Sequence, residues 1–426
     1  MHEKYVQNRK RVNLELFIAR RIAHNGSGNR PGVMVRIAVV AVALSVTVMI
    51  LALAVIMGFK REITDRVTGF SAQVEVADLR SAGSIESVPV LRSEQLERTI
   101  RSAGEVVRLT PYAVKGGVVK TPDAILGVML KGVDGGYEWS FFRDHLLEGE
   151  LPRVGDSIRT KEILISRSVA REMGLAPGDK VEMLFVESEK SPRRDRFKVS
   201  GIYATGMEEF DRSVAMTDLR NVQRLADWSS DEVSGYEVTL ADFSQAEDFS
   251  RRLNDMLLDS DREAFWDLTA RSAQERFPTV FDWLKTHDVN AAVILVIMVV
   301  VAVFNMATAL LTLVLERTRM IGLLKTMGMN NASLRRIFLY RALILIVRGV
   351  VWGNAIGLGI CLLQYYFHLI PLDPEGYMLS EVPVAFGVGW WLALNAGVVV
   401  VILTLLMLPA SIISQVKPVE AIRYDS

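Results

Sequence analysis

Four long apolar runs constrain this chain more than any other feature. The runs Ile37 to Phe59, Val289 to Leu315 and Val382 to Val416 contain no charged side chain, and Ala342 to Leu372 carries only Arg348 and His368. Each exceeds the roughly 20 residues that a helix needs to cross a bilayer. Inside hydrocarbon every backbone polar group must be satisfied within its own segment, so runs of this kind fold as helices. The first run is too long for the core of a cleavable signal peptide, and no small-residue cleavage site follows it. The expected fold class is therefore membrane α-helical with four transmembrane helices. The stretch between the first two runs is long and charged, and it must form a domain of its own outside the membrane.

Basic residues orient the spans. The segment before the first run holds Lys4, Arg9, Lys10, Arg11, Arg20, Arg21, Arg30 and Arg36. The loop between the second and third runs holds Arg317, Arg319, Lys325, Arg335, Arg336 and Arg341, and the tail adds Lys417 and Arg423. The positive-inside bias puts these three regions in the cytoplasm and the large domain on the other side. The chain then divides into 1–34, a cytoplasmic segment with an interfacial helix at NLELFIARRIAH, and 35–59, the first span. An extracytoplasmic α+β domain follows at 60–288, then the second span at 289–315 and a cytoplasmic loop at 316–341. The third span is 342–370, a short extracytoplasmic link is 371–383, the fourth span is 384–413, and 414–426 is a cytoplasmic tail. With 49 basic and 49 acidic residues, the formal charge is zero, so no global field favours nucleic acid.

Strand and helix signals alternate through the outer domain. Strands are expected at Gln73–Val76, Ala124–Lys131, Glu162–Ile165 and Gly235–Leu240, and a hairpin from Lys180–Val186 and Arg196–Tyr203. Helices are expected after Ser93, Ser166 and Asp218, each a good N-cap, and at Phe243–Leu258.

Few residues carry chemistry. Cys361 lies in an apolar run and reads as a core residue. The histidines at 2, 24, 145, 287 and 368 have no metal-ligand spacing, and Glu208, Glu209 and Asp211 read as a solvated loop. No G-x-x-x-x-G-K-[ST] loop occurs, so no catalytic or metal residue is assigned and no nucleotide cofactor is expected in this chain. Arg348 should snorkel to the cytoplasmic surface or find a partner. Gly349, Gly353 and Gly357 recur every four residues, as in a close-packed helix seam.

The loop ERTRMIGLLKTMGMNN, Glu316 to Asn331, reads as a short amphipathic helix. Met320, Leu323, Leu324 and Met327 fall at i, i+3, i+4 and i+7, with Gly328 as a left-handed stop and Asn330 or Asn331 capping a second helix. Its pattern is equally that of a topogenic loop resting on lipid headgroups. The stretch also resembles the "E-(K/R)-x-x-E-I-x-x-(L/M)-(K/R)-x-x-G" element of the FtsX-like and MacB-like ABC transporter permeases, with Met320 where that family often has Glu. ILISRSVAREMGLAPGDKVEM, FKVSGIYATGMEEFDRSVAM and the closing KPVEAIR resemble further blocks of the same permeases, in the same order. The link PLDPEGYMLSEVPV is similar to that of the lipoprotein-releasing permeases of the Lol system.

That resemblance implies a MacB-like periplasmic domain with an inserted β-rich subdomain, in an inner-membrane permease. It implies that Glu316, Arg317, Arg319, Met320, Leu323, Leu324, Lys325, Met327 and Gly328 dock on a separate ABC ATPase, which binds ATP and Mg. It implies a second permease copy or paralogue, a lipoprotein client, contact with membrane lipid, and a periplasmic lipoprotein carrier. The carrier would meet a short hairpin carrying Glu187, Lys190, Pro192, Arg193 and Arg194. An acyl-chain cavity would lie between Leu53, Ile56, Met57 and Phe59 of the first span and Val293, Ile297 and Val301 of the second. Two other roles stay open: a non-transporting regulator of cell-wall hydrolases, as in some FtsX-like proteins, and a MacB-like efflux component.

Overall fold

The structure is a computed structural model that describes residues 33–81, 86–121, 124–155, 159–187, 190–372, 379 and 381–410. The expected interfacial helix at 13–24 and the KPVEAIR tail lie outside the described residues. The chain forms two compact units, one of residues 1–60, 285–370 and 382–426, the other of 61–284 and 371–381.

The first unit is helical. It is built on the helices Val33–Ser71, Pro278–Glu316, Asn331–Phe367 and Val388–Ala410, hereafter spans one to four, the first two of which run on into the second unit's residues; all four are long and apolar enough to cross a membrane. To the core of the helical unit, spans two and four contribute narrow stripes, Ala302, Met306, Leu310 and Val314 on one and Val398, Ile402, Leu406 and Ala410 on the other. This four-residue repeat is one edge of a helix, and the remaining apolar faces stay open.

Spans one and three are packed closely by the glycine repeat. A Cβ at Gly349 would lie 2.7 Å from the Val42 Cβ, and one at Gly353 would lie 2.7 Å from the Ala43 carbonyl oxygen. Thr47 Oγ1 donates to the Gly353 carbonyl at 3.1 Å. Without hydrophobic drive between helices in lipid, such close packing and polar contacts supply the association. Spans three and four are joined by a polar clasp: Asn354 Nδ2 and Trp391 Nε1 donate at 2.6 Å to Asn395 Oδ1 and Asn354 Oδ1, respectively.

Helix limits differ from expectation. The helix of span two begins at Pro278, ahead of the expected 289, and that of span four at Val388, after the expected 384. Span one runs on past Phe59 to Ser71, because Ile63, Val67 and Phe70 form a fully buried stripe on its extension. The second helix of the 316–341 loop is not separate; it is the first turns of span three, which starts at Asn331. Span three ends at Phe367, where His368 takes a left-handed C-cap with φ of 49°.

The second unit is α+β and is organised by twelve strands: β1 Val74–Asp78, β2 Val90–Leu91, β3 Val106–Lys120, β4 Ile125–Val133, β5 Leu146–Gly149, β6 Glu162–Ser166, β7 Lys180–Glu187, β8 Lys190–Tyr203, β9 Val214–Asp218, β10 Glu232–Val233, β11 Gly235–Leu240 and β12 Leu268–Ser272. The main sheet runs β12-β1-β11-β3-β4-β9-β6-β8-β5, and β7 pairs with both β8 and β3. The pairings β3-β4-β9-β6-β8-β7-β3 therefore close on themselves, which makes the β-rich part a barrel sharing β3 and β4 with the open sheet. Closure removes unpaired edges. It also brings Phe185 onto Gly117, where a Cβ would stand 2.6 Å from the ring. Helices Glu94–Ser102, Leu219–Ala226 and Ala246–Leu258 cover the sheet with Leu96, Ile100, Val222, Leu225, Phe249, Leu253 and Leu257, all buried. Each such side chain contributes about 1.5–3 kcal/mol relative to exposure. Ser93, Ser166 and Asp218 cap their helices by accepting from backbone N–H groups.

Candidate functional site

The loop between spans two and three is a built elbow. Span two stops at Glu316, Arg317 leaves helical geometry with ψ of 17°, and a short helix runs from Thr318 to Thr326. Thr318 Oγ1 donates to the Leu315 carbonyl at 2.8 Å and lies 3.2 Å from that of Val314, which also accepts from the Arg317 N–H at 3.2 Å, so acceptors at the end of span two are satisfied locally. Gly328 has φ of +88°, a conformation that suits glycine. The Met329 N–H donates to the Leu324 carbonyl at 3.0 Å. Asn330 then caps span three by accepting from the Ala332 N–H at 3.2 Å.

The apolar stripe of this helix is divided. Ile321 and Gly322 are buried, and Met320 and Leu324 pack half-buried against the helical unit's own core. Leu323 is 52% exposed and Met327 72% exposed, flanked by exposed Arg319, Thr326 and Glu316, while Arg317 and Lys325 are half-buried. Two apolar side chains one turn apart, held out from a capped helix between two spans, form a small exposed apolar knob.

A model of the MacB-like periplasmic core domain matches residues 37–256, just over half of the chain, and one of the FtsX-like permease C-terminal region matches 292–418. The chain belongs to the FtsX-like and MacB-like family of ABC transporter permeases. A protein of Xylella fastidiosa (strain 9a5c) named lipoprotein-releasing system transmembrane protein LolC is 24% identical over 396 residues, 88% of this chain and 89% of that protein. A LolC protein of Neisseria meningitidis serogroup B is 24% identical over 398 residues, 88% of this chain and 90% of that one. The crystal structure of the periplasmic region of MacB from Actinobacillus actinomycetemcomitans overlaps 50% of this chain and 94% of its own, at 13% identity and a TM-score of 0.34.

Of the residues assigned to an acyl-chain cavity in this permease, Met57 is 38% exposed, Val293 52%, Ile297 50% and Val301 41%, and Leu53, Ile56 and Phe59 are half-buried. The first four lie on exposed apolar surface of the helical unit, the other three are partly covered, and none belongs to its core.

The β7–β8 hairpin pairs Glu187 with Lys190 at its tip, and the side chains of both lie outside the described ones. Pro192 is exposed, and Arg194 stands 3.5 Å from Glu182 with its side chain 74% exposed. Arg193 instead turns back to its own unit and donates to Asp227 at 2.7 Å. The hairpin is also held by buried Asp195, which accepts from Lys161, from Arg224 and from the Arg196 N–H at 2.9 Å. Burial pushes the Asp195 carboxyl up, but the Lys161 and Arg196 hydrogen bonds and the Arg224 charge outweigh it and hold it below the usual range. A depressed carboxyl contributes stability above its unfolded value of about 3.9 and loses it as pH falls through the folded value. Asp195→Asn should therefore lower stability by about 2 kcal/mol at pH 7, and the deficit should shrink below about pH 4. Thermal unfolding of the purified chain at the two pH values checks this; an equal deficit at both would refute it.

Asp211 departs from the expected solvated loop. It is 4% exposed and accepts from the Thr205 N–H and hydroxyl and the Gly206 N–H, so it clamps a turn. The α+β unit also holds a cavity of about 420 Å³, lined by residues far apart in the sequence. Its charges are mutually satisfied: Lys131 Nζ donates to Glu237 at 2.5 Å and to the Phe70 carbonyl, and Arg276 Nε meets Glu75 at 2.9 Å. Such a network serves the fold.

Proposed function

We propose that this permease couples ATP hydrolysis by a separate ATPase subunit to release of lipoproteins from the inner membrane to a periplasmic carrier. The carrying observation is the Leu323 and Met327 knob on a helix fixed between spans two and three; the names of the LolC relatives supply the cargo class. On this reading the Lys/Arg-rich loop is cytoplasmic and meets the ATPase, and the α+β unit is periplasmic. A second permease copy or paralogue covers the open apolar faces of spans one and two. The hairpin side chains of Pro192 and Arg194 are those free to meet the carrier.

Each buried methylene is worth roughly 0.8 kcal/mol, so lifting an acyl chain into water is steeply uphill without an apolar shelter. Replacing Met57 and Ile297 together by Asn should lower lipoprotein release from membranes at least severalfold while leaving complex assembly intact. Release at the normal rate would count against this shelter. For orientation, an impermeant maleimide added from outside should label a cysteine placed at Arg194 and spare one at Asn331. The opposite pattern would sink the topology.

A further inference from the structure

Three arginines stand close to the elbow, Arg317 just after span two and Arg341 and Arg348 in the first half of span three. Arg341 is 5% exposed, and its Nε and Nη1 have no hydrogen-bond partner. The Nε of Arg317 is likewise buried and unpartnered. Arg341 is buried, and the positive charges of Arg348 and Arg317 act on it. Arg348 follows seven residues on, two helical turns along the same face, and is exposed. Among the described residues, no carboxylate pairs with any of the three.

An arginine cannot shed its proton, so a buried guanidinium needs an anion. The depth of the site says which. Arg341 immediately precedes the apolar run that begins at Ala342, and Arg317 lies just after the run that ends at Leu315. Both therefore sit at the edge of the hydrocarbon, the level of lipid headgroups. A phosphodiester offers the paired oxygens that a guanidinium fork matches. A lipid can also approach sideways within the membrane, past exposed Arg348, to a group that protein otherwise covers.

We propose that Arg341 and Arg317 bind the phosphodiester of a membrane phospholipid, with Arg348 reaching it from the lipid-facing side. Arg317 directly precedes the helix 318–326 and Arg341 follows it, so one bound phosphate would tie together both mounts of the coupling elbow. The site does not depend on which cargo the permease moves.

Native mass spectrometry of the full-length chain, purified in detergent and stripped of lipid, tests this with phosphatidylglycerol, dioleoylglycerol and inorganic phosphate as probes. The wild type should retain one phosphatidylglycerol per chain and release dioleoylglycerol. Arg341→Gln should cut that retention at least tenfold, Arg341→Lys by less, and Arg335→Gln, at an exposed site on the same helix, not at all. Thermal unfolding adds a readout that a purely structural arginine would not give. Arg341→Met should raise the Tm in lipid-free detergent, where it removes an orphan charge, and should abolish the rise that phosphatidylglycerol gives the wild type. Equal retention of dioleoylglycerol, or unchanged retention by Arg341→Gln, overturns the proposal. So does an equal Tm rise with inorganic phosphate, which would make this a free-anion site. A Tm rise only on adding the ATPase would assign the anion to a protein carboxylate and overturn it too.

Discussion

Leucine at Gly353 should prevent stable assembly of the membrane helices. The first added carbon would stand 2.7 Å from both the Ala43 carbonyl oxygen and the Val46 Cβ. Neither can rotate away: one is backbone and the other is the branch point of a side chain that is 1% exposed. The helices would have to move apart. That would strain the Thr47 bond to the Gly353 carbonyl and loosen contacts of Val42, Met49 and Ile50, all fully buried. Overpacking of this kind typically costs about 1–3 kcal/mol, and an interhelical hydrogen bond in a membrane adds roughly 1 kcal/mol. Gly359 provides the internal control, because a Cβ there has nothing within 4 Å. The Gly353→Leu chain should be recovered at a small fraction of normal yield or with a Tm lower by many degrees, and Gly359→Leu should behave as wild type. Matching yield and Tm for the two variants would show that the seam tolerates separation and does not hold the helices together.

The seam was legible because its signal is local: small residues at a four-residue spacing in an apolar run can be read without knowing the partner helix. The caps at Ser93, Ser166 and Asp218 were legible for the same reason, since a cap and the N–H groups it serves are within three residues of each other. Ring closure of the barrel was not. It depends on β3 meeting β7, some sixty residues later in the chain, through Val118–Lys120 and Glu182–Leu184, and no local pattern announces such a pairing. The extension of span one has a signal in the sequence, masked by charge. Ile63, Val67 and Phe70 follow helical spacing, but they are interleaved with Arg61, Glu62, Asp65 and Arg66, and the first charges after Phe59 read as an end. The elbow was legible as an amphipathic helix, but its stripe was assigned to one face when two surfaces share it. The buried face is centred on Ile321, off the expected stripe and flanked by Met320 and Leu324, so Leu323 and Met327 are left outside. The orphan guanidinium of Arg341 left no trace in the sequence, because burial and the absence of an acceptor are properties of packing.

The division of that stripe decides how docking should be tested. Leu324 packs half-buried against the core of its own unit, so a carboxylate there would damage the permease itself and a lost ATPase would mean little. Leu323 and Met327 point outward, and aspartates at both would be solvated in the free chain at little cost to folding. On docking into an apolar groove the same carboxylates would lose their water without gaining a partner. The Leu323→Asp, Met327→Asp chain should therefore keep the wild-type Tm and yield and lose about 3 kcal/mol of ATPase affinity, roughly a hundredfold. Leu323→Met, which preserves the apolar knob, should retain association. Co-purification and a binding isotherm against the ATPase measure the loss, with the Tm as the control for folding. Unchanged affinity in the double variant, at unchanged Tm, would remove this helix from the ATPase interface and return it to the role of a loop resting on lipid headgroups.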